Sequence, residues 1–437
     1  MLLRDAILVL AFGPLVYYLM TLWVSVSYFR RKARAAGQQS SYRPPISILK
    51  PVRGLDREAY ENFASFCQQD YPEHEVLFCV SSTSDPSVPA IEKLQADFPE
   101  CRIRLLVGAS PIGTSDKLNK LCRLVKAASY DLLVISDSDV RVERNYLRDI
   151  AAPFVNPCVG AVTVMFRSLI GGGFGSRLDA AGSAVEFASS ALLSQRLEGI
   201  RFTLGFTMAT TKQRLAEIGG FEAFANHAVD DYELGGRIAQ RGYRIELSRT
   251  IVSMVYSCQS LFEFLRHELR WTIGLRSVRP RGHAAMGFTL GLPWTILAAA
   301  VAPSATIAAA YIFAYLALRS AVYLTLGVWE LKDTVVKRNW WLIPLRDLAS
   351  FGVWFASFFT NRICWRGVHF SVENGQLVPL RESHLQESLF STSRSTLEEE
   401  VRTKAECDFR EPIGASTVGQ ANVAMSVSVK SATGVRH

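Results

Sequence analysis

The sequence predicts an α/β protein with a mostly parallel sheet, placed between apolar segments that insert into a membrane. Short β-branched runs alternate with helical stretches from about residue 44 to residue 254, and uncharged apolar runs lie on both sides of that region. Alternation of strands and helices is typical of a parallel sheet covered by helices on both faces. Such sheets bind ligands at the carboxyl ends of their strands, so residues that directly follow strands are the first candidates for function.

Each predicted strand in the soluble region precedes a helical stretch. The predicted strands are residues 46–49, 75–80, 102–107 and 132–136, and the predicted helices are 57–69, 88–97, 118–128 and 230–240. The strands consist mainly of apolar residues, and the helices repeat apolar residues every three to four positions. We therefore expect one soluble domain over residues 44–283, which is long enough to bury a sizeable core.

Composition excludes several classes of protein. The chain has 437 residues, of which 49% are apolar, and 48 Lys plus Arg against 40 Asp plus Glu give a formal charge of +8. This is too apolar for a disordered protein and too charged for a bundle made only of membrane helices. The cysteines are scattered singly, which excludes a zinc site of paired cysteines and a disulfide scaffold and favours a reducing environment. RNA-binding aromatic signatures are missing, so we assign the basic surface to phospholipid and phosphate, not to nucleic acid.

The N-terminal apolar run predicts a transmembrane anchor. Residues 7–29 carry no formal charge and are long enough to cross a hydrocarbon core of roughly 30 Å. A basic cluster follows at residues 30–34, so the positive-inside rule places the next segment in the cytoplasm. We interpret residues 1–34 as the anchor and its basic flank.

Residues 284–370 form a second predicted membrane region. The apolar run from Met286 to Trp329 is too long for one span and has basic residues at both ends, which predicts a hairpin that returns to the cytoplasm. Residues 340–360 contain Arg346 and Asp347, and charges at mid-bilayer are costly, so we expect an interfacial or re-entrant helix there. The composition of residues 386–437 predicts a disordered tail.

Acidic residues follow two of the predicted strands. Asp137 and Asp139 come directly after the strand at residues 132–136, where two carboxylates can share a hard divalent cation that neutralises a diphosphate. A solvated turn explains the same triplet equally well. Asp85 follows the strand at residues 75–80 and precedes a proline; such an aspartate usually starts a turn, and the alternative is a carboxylate that faces a nucleoside.

The helix starts and the membrane flank supply the other candidates. Lys117 and Asn119 could hold phosphate or ribose oxygens, or face solvent and cap a turn. Asp231 follows Asp230 at a helix start, where acidic residues favour the helix dipole and where one of them could act as a general base. Arg270 and Trp271 could clamp a phosphate and stack on a substrate, although Arg and Trp are common beside membranes.

In their order and spacing, these residues resemble the ceramide glucosyltransferase-like family of glycosyltransferases, family 21, which is close to family 2 and includes a bacterial branch that glycosylates hopanoids. The resemblance covers roughly residues 44 to 370. The motifs that carry it are Ser47-Ile48-Leu49-Lys50-Pro51-Val52-Arg53-Gly54, Asp70-Tyr71-Pro72, Asp85-Pro86, Asp137-Ser138-Asp139, Asp230-Asp231-Tyr232, Arg270-Trp271, Pro344-Leu345-Arg346-Asp347-Leu348 and Trp365-Arg366-Gly367.

The resemblance implies a GT-A type nucleotide-binding fold whose site consists of three aspartates and a Gln/Arg-x-x-Arg-Trp motif. It implies that Asp85 binds the nucleotide, that Asp137 and Asp139 bind the diphosphate and a metal, and that Asp231 is the general base. It also implies that Arg270 and Trp271 clamp the product diphosphate and the acceptor. His267 replaces the Gln or Arg of the motif; it can still hydrogen-bond a phosphate, but a permanent charge is lost.

The implied activity is transfer of one sugar, with inversion, from UDP-glucose or UDP-N-acetylglucosamine to the hydroxyl of a membrane lipid, either ceramide or a hopanoid. Mg²⁺ or Mn²⁺ is the expected ion, because carboxylates without a His or Cys cluster favour hard cations. The expected location is a bacterial inner membrane, with the catalytic domain in the cytoplasm. Two alternatives remain: a processive polysaccharide synthase, and a non-catalytic membrane-anchored protein that binds sugar nucleotide or lipid.

Overall fold

The computed structural model describes residues 1–34, 41–170, 172–257, 259–365 and 367–380. The predicted tail at residues 386–437 lies outside this part of the chain, as does Arg366 of the last motif. Within the described residues, eight strands form one sheet in the order β3-β2-β1-β4-β7-β6-β8-β5. The strands are β1 (Ile46–Pro51), β2 (His74–Val80), β3 (Arg102–Val107), β4 (Leu132–Ser136), β5 (Val140–Arg141), β6 (Val159–Ile170), β7 (Thr207–Thr211) and β8 (Arg244–Val255).

Parallel pairing dominates one half of this sheet. β1 pairs in parallel with both β2 and β4, and β3 pairs in parallel with β2. β7 is antiparallel to β4 and to β6, while β6 and β8 are parallel. The strands at the centre are buried along their whole length, which matches their apolar sequences. The predicted α/β architecture with a mostly parallel sheet is confirmed.

Helices surround the sheet. Those of the soluble region are α3 (Ala59–Cys67), α4 (Val88–Asp97), α5 (Asp116–Ala127), α6 (Tyr146–Ala151), α7 (Gly173–Leu197), α8 (Lys212–Glu217), α9 (Asp230–Gln240) and α10 (Leu261–Val278), preceded in the chain by α1 (Leu2–Leu10) and α2 (Phe12–Arg34). α5 begins two residues earlier than its apolar pattern predicts, because the side chain of Ser115 accepts a hydrogen bond from the backbone of Leu118 and caps the helix. This earlier start brings Lys117 into the first turn.

The remaining helices form the apolar part of the molecule. They are α11 (Pro280–Met286), α12 (Gly291–Val301), α13 (Ala305–Val322), α14 (Thr334–Asn339) and α15 (Ile343–Ala356). A search of the described residues finds three helical stretches long and apolar enough to cross a membrane, namely Leu2–Ala33, Ala305–Glu330 and Thr334–Phe359. The helices α11 and α12, bent by 46° at their junction, make a fourth if they count as one span.

A small antiparallel sheet follows the membrane region and was not predicted from the sequence. It contains β9 (Arg362–Trp365), β10 (Val368–Glu373) and β11 (Gln376–Pro379). Its buried residues Phe370 and Val372 pack with Ile273 of α10, and Gln376 forms a β-bridge with His227. The chain therefore returns to the soluble domain after α15, close to the start of α9.

Candidate active site

The carboxyl ends of β1, β2 and β4 meet at one edge of the sheet, and the predicted acidic residues lie there. Asp85 follows β2, and Asp137 and Asp139 follow β4. Because Ser136 at the end of β4 is paired with Thr207 at the start of β7, the residues just before β7 lie at the same edge. The topology thus assembles the candidate site from segments far apart in the chain.

Asp139 has the environment expected of a metal ligand. Its Oδ1 atom is buried and has no hydrogen-bond partner, and the Ser138 hydroxyl next to it donates to Asp56. Burial, followed by the charges of Asp137 and Asp56, raises the pKa of Asp139 to about 7. A buried carboxylate oxygen without a partner is costly unless a ligand satisfies it. Together with the half-buried Asp137, this donor set fits a hard divalent cation.

Lys50 supports the loop that carries Asp137. Its side chain is fully buried, and its Nζ donates to the backbone carbonyl of Asp137 at 2.7 Å and lies 3.7 Å from the centre of the Phe66 ring. Burial lowers the pKa of Lys50 to about 7, against the opposing charges of Asp137 and Asp139. Sequence reasoning quoted Lys50 only as part of a motif; its contact with the Asp137 carbonyl depends on the pairing of β1 with β4.

Asp85 is held by the loop that follows β1. Its two carboxylate oxygens accept from the backbone N–H of Gly54 at 3.1 and 3.0 Å, and Oδ1 also accepts from the backbone and hydroxyl of Ser87. Burial acts to raise the pKa of Asp85, but these hydrogen bonds outweigh it and hold the pKa below the usual value. Asp85 is therefore ionised and fixed at the edge of the sheet, where the sequence predicts a nucleotide.

Lys117 and Asn119, the two candidate residues at the start of α5, have different contacts in the structure. Asn119 accepts from the backbone of Ile112 and Gly113 at 3.0 and 2.9 Å and donates to the carbonyl of Gly113 at 2.8 Å, so its side chain holds this loop in shape. Lys117 instead extends into the site. Of Lys117 and Asn119, the structure brings only Lys117 to the carboxylates.

Lys117 bridges two acidic segments. Its Nζ lies 2.9 Å from Asp137 Oδ1 and 3.0 Å from Asp230 Oδ2, and its side chain is 17% exposed. Burial acts to lower the pKa of Lys117, but the charges of Asp137 and Asp230 outweigh it and hold the pKa above its usual value. The lysine therefore joins the loop that carries Asp137 to the start of α9.

Asp231 is oriented by the backbone on both sides. Its Oδ2 accepts from the N–H of Gly205 at 2.8 Å, and its Oδ1 accepts from the N–H of Tyr232 at 2.8 Å. Burial raises the pKa of Asp231 to about 7; the neighbouring charge of Asp230 adds to the rise, and Lys117 opposes it. A carboxylate with a pKa near neutrality is suited to accept a proton from a hydroxyl.

Gly205 occupies the gap between the two carboxylate groups. A β-carbon built on it would lie 3.3 Å from Asp231 Oδ2 and 3.8 Å from Asp137 Oδ2. Both carboxylates therefore border the space directly beside this glycine. Sequence reasoning did not select Gly205, because its position before β7 gives no local signal.

The aromatic residues next to this space include Trp271. The Trp271 ring stacks on Phe206 with centroids 6.0 Å apart and contacts Phe187 edge-on at 4.8 Å. Phe206 directly follows Gly205, so the ring of Trp271 lies one aromatic side chain from the segment that orients Asp231. The Arg270 guanidinium lies 5.6 Å from the centre of the Trp365 ring in β9. Helix α10 thus brings Trp271 close to the segment that orients Asp231, while Arg270 lies against β9.

His267 points toward helix α7. Its Nδ1 lies 3.0 Å from Oδ2 of Asp179, whose side chain is 1% exposed. The centres of the His267 and Trp271 rings are 5.5 Å apart. Burial acts to raise the pKa of Asp179, but the hydrogen bond and charge of His267 outweigh it and hold the pKa below its usual value. Asp179 was not predicted, since it lies in the middle of a helix 88 residues away along the chain.

Arg346 and Asp347 pair with side chains of neighbouring helices. Arg346 Nη2 donates to Glu186 at 3.0 Å and to Glu268 at 2.8 Å, while Asp347 accepts from Arg319 and from Tyr315. We call these residues, with Asp179 and His267, the charged cluster. The expectation of an interfacial helix rests on the fact that the sequence reveals no partner for Arg346 or Asp347; in the structure, three other helices supply partners.

The charged cluster contains one group of possible metal ligands. Ligand atoms of Asp179, His267 and Glu268 lie within 4.8 Å of one another. Glu268 is already bonded to Arg346, whose permanent positive charge opposes a divalent cation at this place. We therefore interpret the group of Asp179, His267 and Glu268 as an ion-pair network, and not as a metal site.

Comparison with known proteins agrees with the motifs. The sequence model of glycosyl transferase family 21 matches residues 6–378, most of the chain. This chain belongs to glycosyl transferase family 21. The resemblance inferred from the motifs is thereby confirmed, and family and sheet topology together confirm the predicted GT-A type fold.

Curated relatives come from the same family. Ceramide glucosyltransferase 3 of Caenorhabditis elegans is 26% identical over 261 residues, which are 57% of this chain and 54% of that protein. The ceramide glucosyltransferase of Komagataella phaffii is 31% identical over 142 residues, 30% of this chain and 28% of that protein. The chain thus spans about half the length of the first relative and less of the second.

Among solved structures, a mannosyltransferase from Pyrobaculum calidifontis, in complex with GDP-Man and Mn²⁺, is similar at a TM-score of 0.45 and 18% identity. The alignment covers 78% of this chain and 98% of that chain.

Proposed function

We propose that this protein is a membrane-bound inverting glycosyltransferase that moves a hexose or N-acetylhexosamine from a UDP-sugar to the hydroxyl of a membrane lipid, either ceramide or a hopanoid. The observation that carries the proposal is the arrangement around Gly205. The half-buried Asp231, whose pKa is raised to about 7, and the carboxylate of Asp137 border one space at the ligand edge of the sheet. The named activity of the curated relatives, ceramide glucosylation, supports the same class of acceptor.

In the proposed reaction, the oxygen of the acceptor hydroxyl attacks the anomeric carbon of the sugar, and the bond from that carbon to the diphosphate of UDP breaks. Asp231 accepts the proton of the acceptor hydroxyl. The backbone N–H groups of Gly205 and Tyr232 fix the orientation of the base. The proposal assigns one base and no enzyme nucleophile on the opposite face of the sugar, so a single displacement with inversion is expected. Trp271 is assigned to the acceptor, and Arg270 to the departing diphosphate.

Asp137 and Asp139 are assigned to a Mg²⁺ or Mn²⁺ ion, which supplies charge neutralisation to the diphosphate. The unpartnered buried Oδ1 of Asp139 and the all-carboxylate donor set support this assignment. We expect excess EDTA to abolish transfer and added Mn²⁺ or Mg²⁺ to restore it, measured as radiolabelled sugar in extracted lipid. Full transfer in EDTA would contradict the metal assignment.

The activity itself is tested with membranes that contain the full chain. They are incubated with UDP-glucose or UDP-N-acetylglucosamine and with ceramide or a hopanoid polyol. The lipid products are separated, their sugars are counted by mass spectrometry, and the anomeric configuration is determined by NMR. We expect one acceptor lipid to gain a single sugar with inverted anomeric configuration. A polymeric product would favour a polysaccharide synthase instead. Binding of UDP without any transfer would favour a non-catalytic binding protein.

A further inference from the structure

Lys117 occupies a position that the proposed metal and diphosphate must share. Its ammonium group is ion-paired with Asp137 Oδ1 at 2.9 Å and with Asp230 Oδ2 at 3.0 Å, in a largely buried setting. Asp137 is also one of the two carboxylates assigned to the metal. The same carboxylate therefore has two competing cationic partners, the side chain of Lys117 and the divalent ion.

Electrostatics decides between these partners according to what else is bound. A divalent ion on Asp137 places like charge close to Lys117, and this repulsion is strong because both groups are shielded from water. The diphosphate of a sugar nucleotide brings negative charge to the same edge of the sheet. Its oxygens can replace Asp137 as the partner of the ammonium group, in a charge-assisted hydrogen bond.

Asp230 gives Lys117 a pivot for such a change of partner. Asp230 lies at the start of α9 and is not part of the metal-binding loop. Its side chain is 14% exposed, against 34% for Asp137. The ammonium group can therefore leave the more exposed Asp137 and keep its ion pair with the more buried Asp230, which holds it at the edge of the site.

Resting on the proposed function, we propose that Lys117 exchanges Asp137 for the donor diphosphate and thereby makes binding of the metal depend on binding of the nucleotide. Without nucleotide, Lys117 competes with the metal for Asp137 and keeps its affinity low. With nucleotide, Lys117 stabilises the diphosphate and releases Asp137 to the metal. Lys117 is in this view a substrate-binding residue that also orders the assembly of the site.

The test measures two affinities that must change in opposite directions in Lys117→Met, which keeps the length of the side chain and removes its charge. The purified full chain in detergent is titrated with Mn²⁺ alone, with free Mn²⁺ followed by electron paramagnetic resonance. UDP binding at saturating Mn²⁺ is measured by calorimetry. We expect Mn²⁺ alone to bind at least about fivefold more tightly and UDP at least about fivefold more weakly, the lower end of usual coupling between sites.

Two variants serve as controls. Lys117→Arg keeps the charge, so Mn²⁺ affinity without nucleotide should stay at the level of the unchanged protein. Lys126 lies on the same helix, with a side chain that is 72% exposed and paired with Glu222, so Lys126→Met should change neither affinity. These controls separate the effect of the Lys117 charge from a general effect of losing a lysine in α5.

Mn²⁺ affinity that is unchanged or weaker in Lys117→Met would overturn the exchange, since a merely structural lysine would weaken the metal site when removed. Tighter Mn²⁺ binding with unchanged UDP affinity would also overturn it, because the diphosphate would then not be the second partner. Failure of the unchanged protein to bind UDP at any Mn²⁺ concentration would instead contradict the proposed function. The two proposals therefore fail in different measurements.

Discussion

At the residue scale, the acid–base behaviour of Asp231 follows from its burial and its neighbours. A general base works only when it is ionised, and burial together with Asp230 raises the pKa of Asp231 to about 7. We therefore expect kcat to be constant at alkaline pH and to fall as the pH drops through about 7, by about tenfold per unit below that value. The measurement is kcat at saturating donor and acceptor from pH 5.5 to 9.

The substitutions Asp231→Asn and Asp230→Asn distinguish the two neighbouring aspartates. Asp231→Asn removes proton acceptance, so kcat should fall by about 10² or more while UDP binding persists. Asp230→Asn should reduce kcat less. It should also lower the pH at which kcat begins to fall, because the charge that raises the pKa of Asp231 is removed. If Asp230→Asn proves the more damaging change, the assignment of the base is reversed.

Gly205 allows a third prediction at the residue scale. The methyl group of Gly205→Ala would enter the space between Asp231 and Asp137. We expect kcat/KM to fall by about tenfold or more, because small displacements of reacting groups are costly, with unchanged thermal unfolding. Gly236→Ala is the matched control: its β-carbon would meet only the Arg201 carbonyl, at 3.8 Å, and activity should be retained. Equal activity of the two variants would show that Gly205 does not border the reacting groups.

At the element scale, the charged cluster joins four helices. Arg346 of α15 bonds to Glu186 of α7 and Glu268 of α10, and Arg319 of α13 bonds to Asp347 of α15. Buried ion pairs contribute little net stability relative to apolar residues, but removal of one partner is expensive because it leaves a buried charge unpaired. The cluster therefore fixes how these helices pack against one another, beside the Trp271 end of the site.

Arg346→Met tests this packing. It leaves Glu186 and Glu268 without the guanidinium, so we expect a loss of about 3–5 kcal/mol in the free energy of unfolding. Unfolding of the full chain in detergent, followed by near-ultraviolet circular dichroism, measures the loss. Arg338 is exposed on α14, and Arg338→Met should change stability by less than about 0.5 kcal/mol. Equal stability of the two variants would show that the cluster does not hold the helices together.

At the scale of the whole molecule, the small sheet constrains the membrane topology. β9–β11 pack on α10 and pair with residue 227, so they lie on the same side of the membrane as the soluble domain. An even number of crossings must therefore separate α10 from β9. Crossings by the α11–α12 pair and α13, with an interfacial α15, satisfy this condition and agree with the hairpin that the sequence predicts; crossings by Ala305–Glu330 and Thr334–Phe359 satisfy it as well.

Cysteine labelling in intact bacterial cells tests this topology. In a background without native cysteines, Ala305→Cys at the start of α13 should react with a membrane-impermeant thiol reagent, because the hairpin predicted from the sequence places this turn on the outer side. Glu373→Cys, exposed at the end of β10, should react only after permeabilisation. Labelling of Glu373→Cys without permeabilisation would contradict the cytoplasmic placement of the soluble domain.

Much of the architecture could be predicted because its signals are local. The strands of the parallel half and the helices α4 and α9 have nearly the predicted bounds, since buried strands and amphipathic helices show in the spacing of their own apolar residues. The motifs also placed Asp85, Asp137 and Asp231 at strand ends and a helix start. The last strands, β9 to β11, were not predicted, although Asn374-Gly375 between β10 and β11, both with positive φ, is a local hairpin signal. Only the packing of this small sheet on α10 has no local pattern.

By itself, the sequence determined the kind of fold, the family and the residue types of the site, because hydrophobic periodicity and motif order are written in neighbouring residues. Only the tertiary structure decided which partner each charged side chain has. Lys117 joins Asp137 to Asp230, Asn119 turns back on its own loop, and Arg346 meets Glu186 from 160 residues away. The physical reason is that an ion pair depends on distance in space, which chain folding sets and local sequence does not.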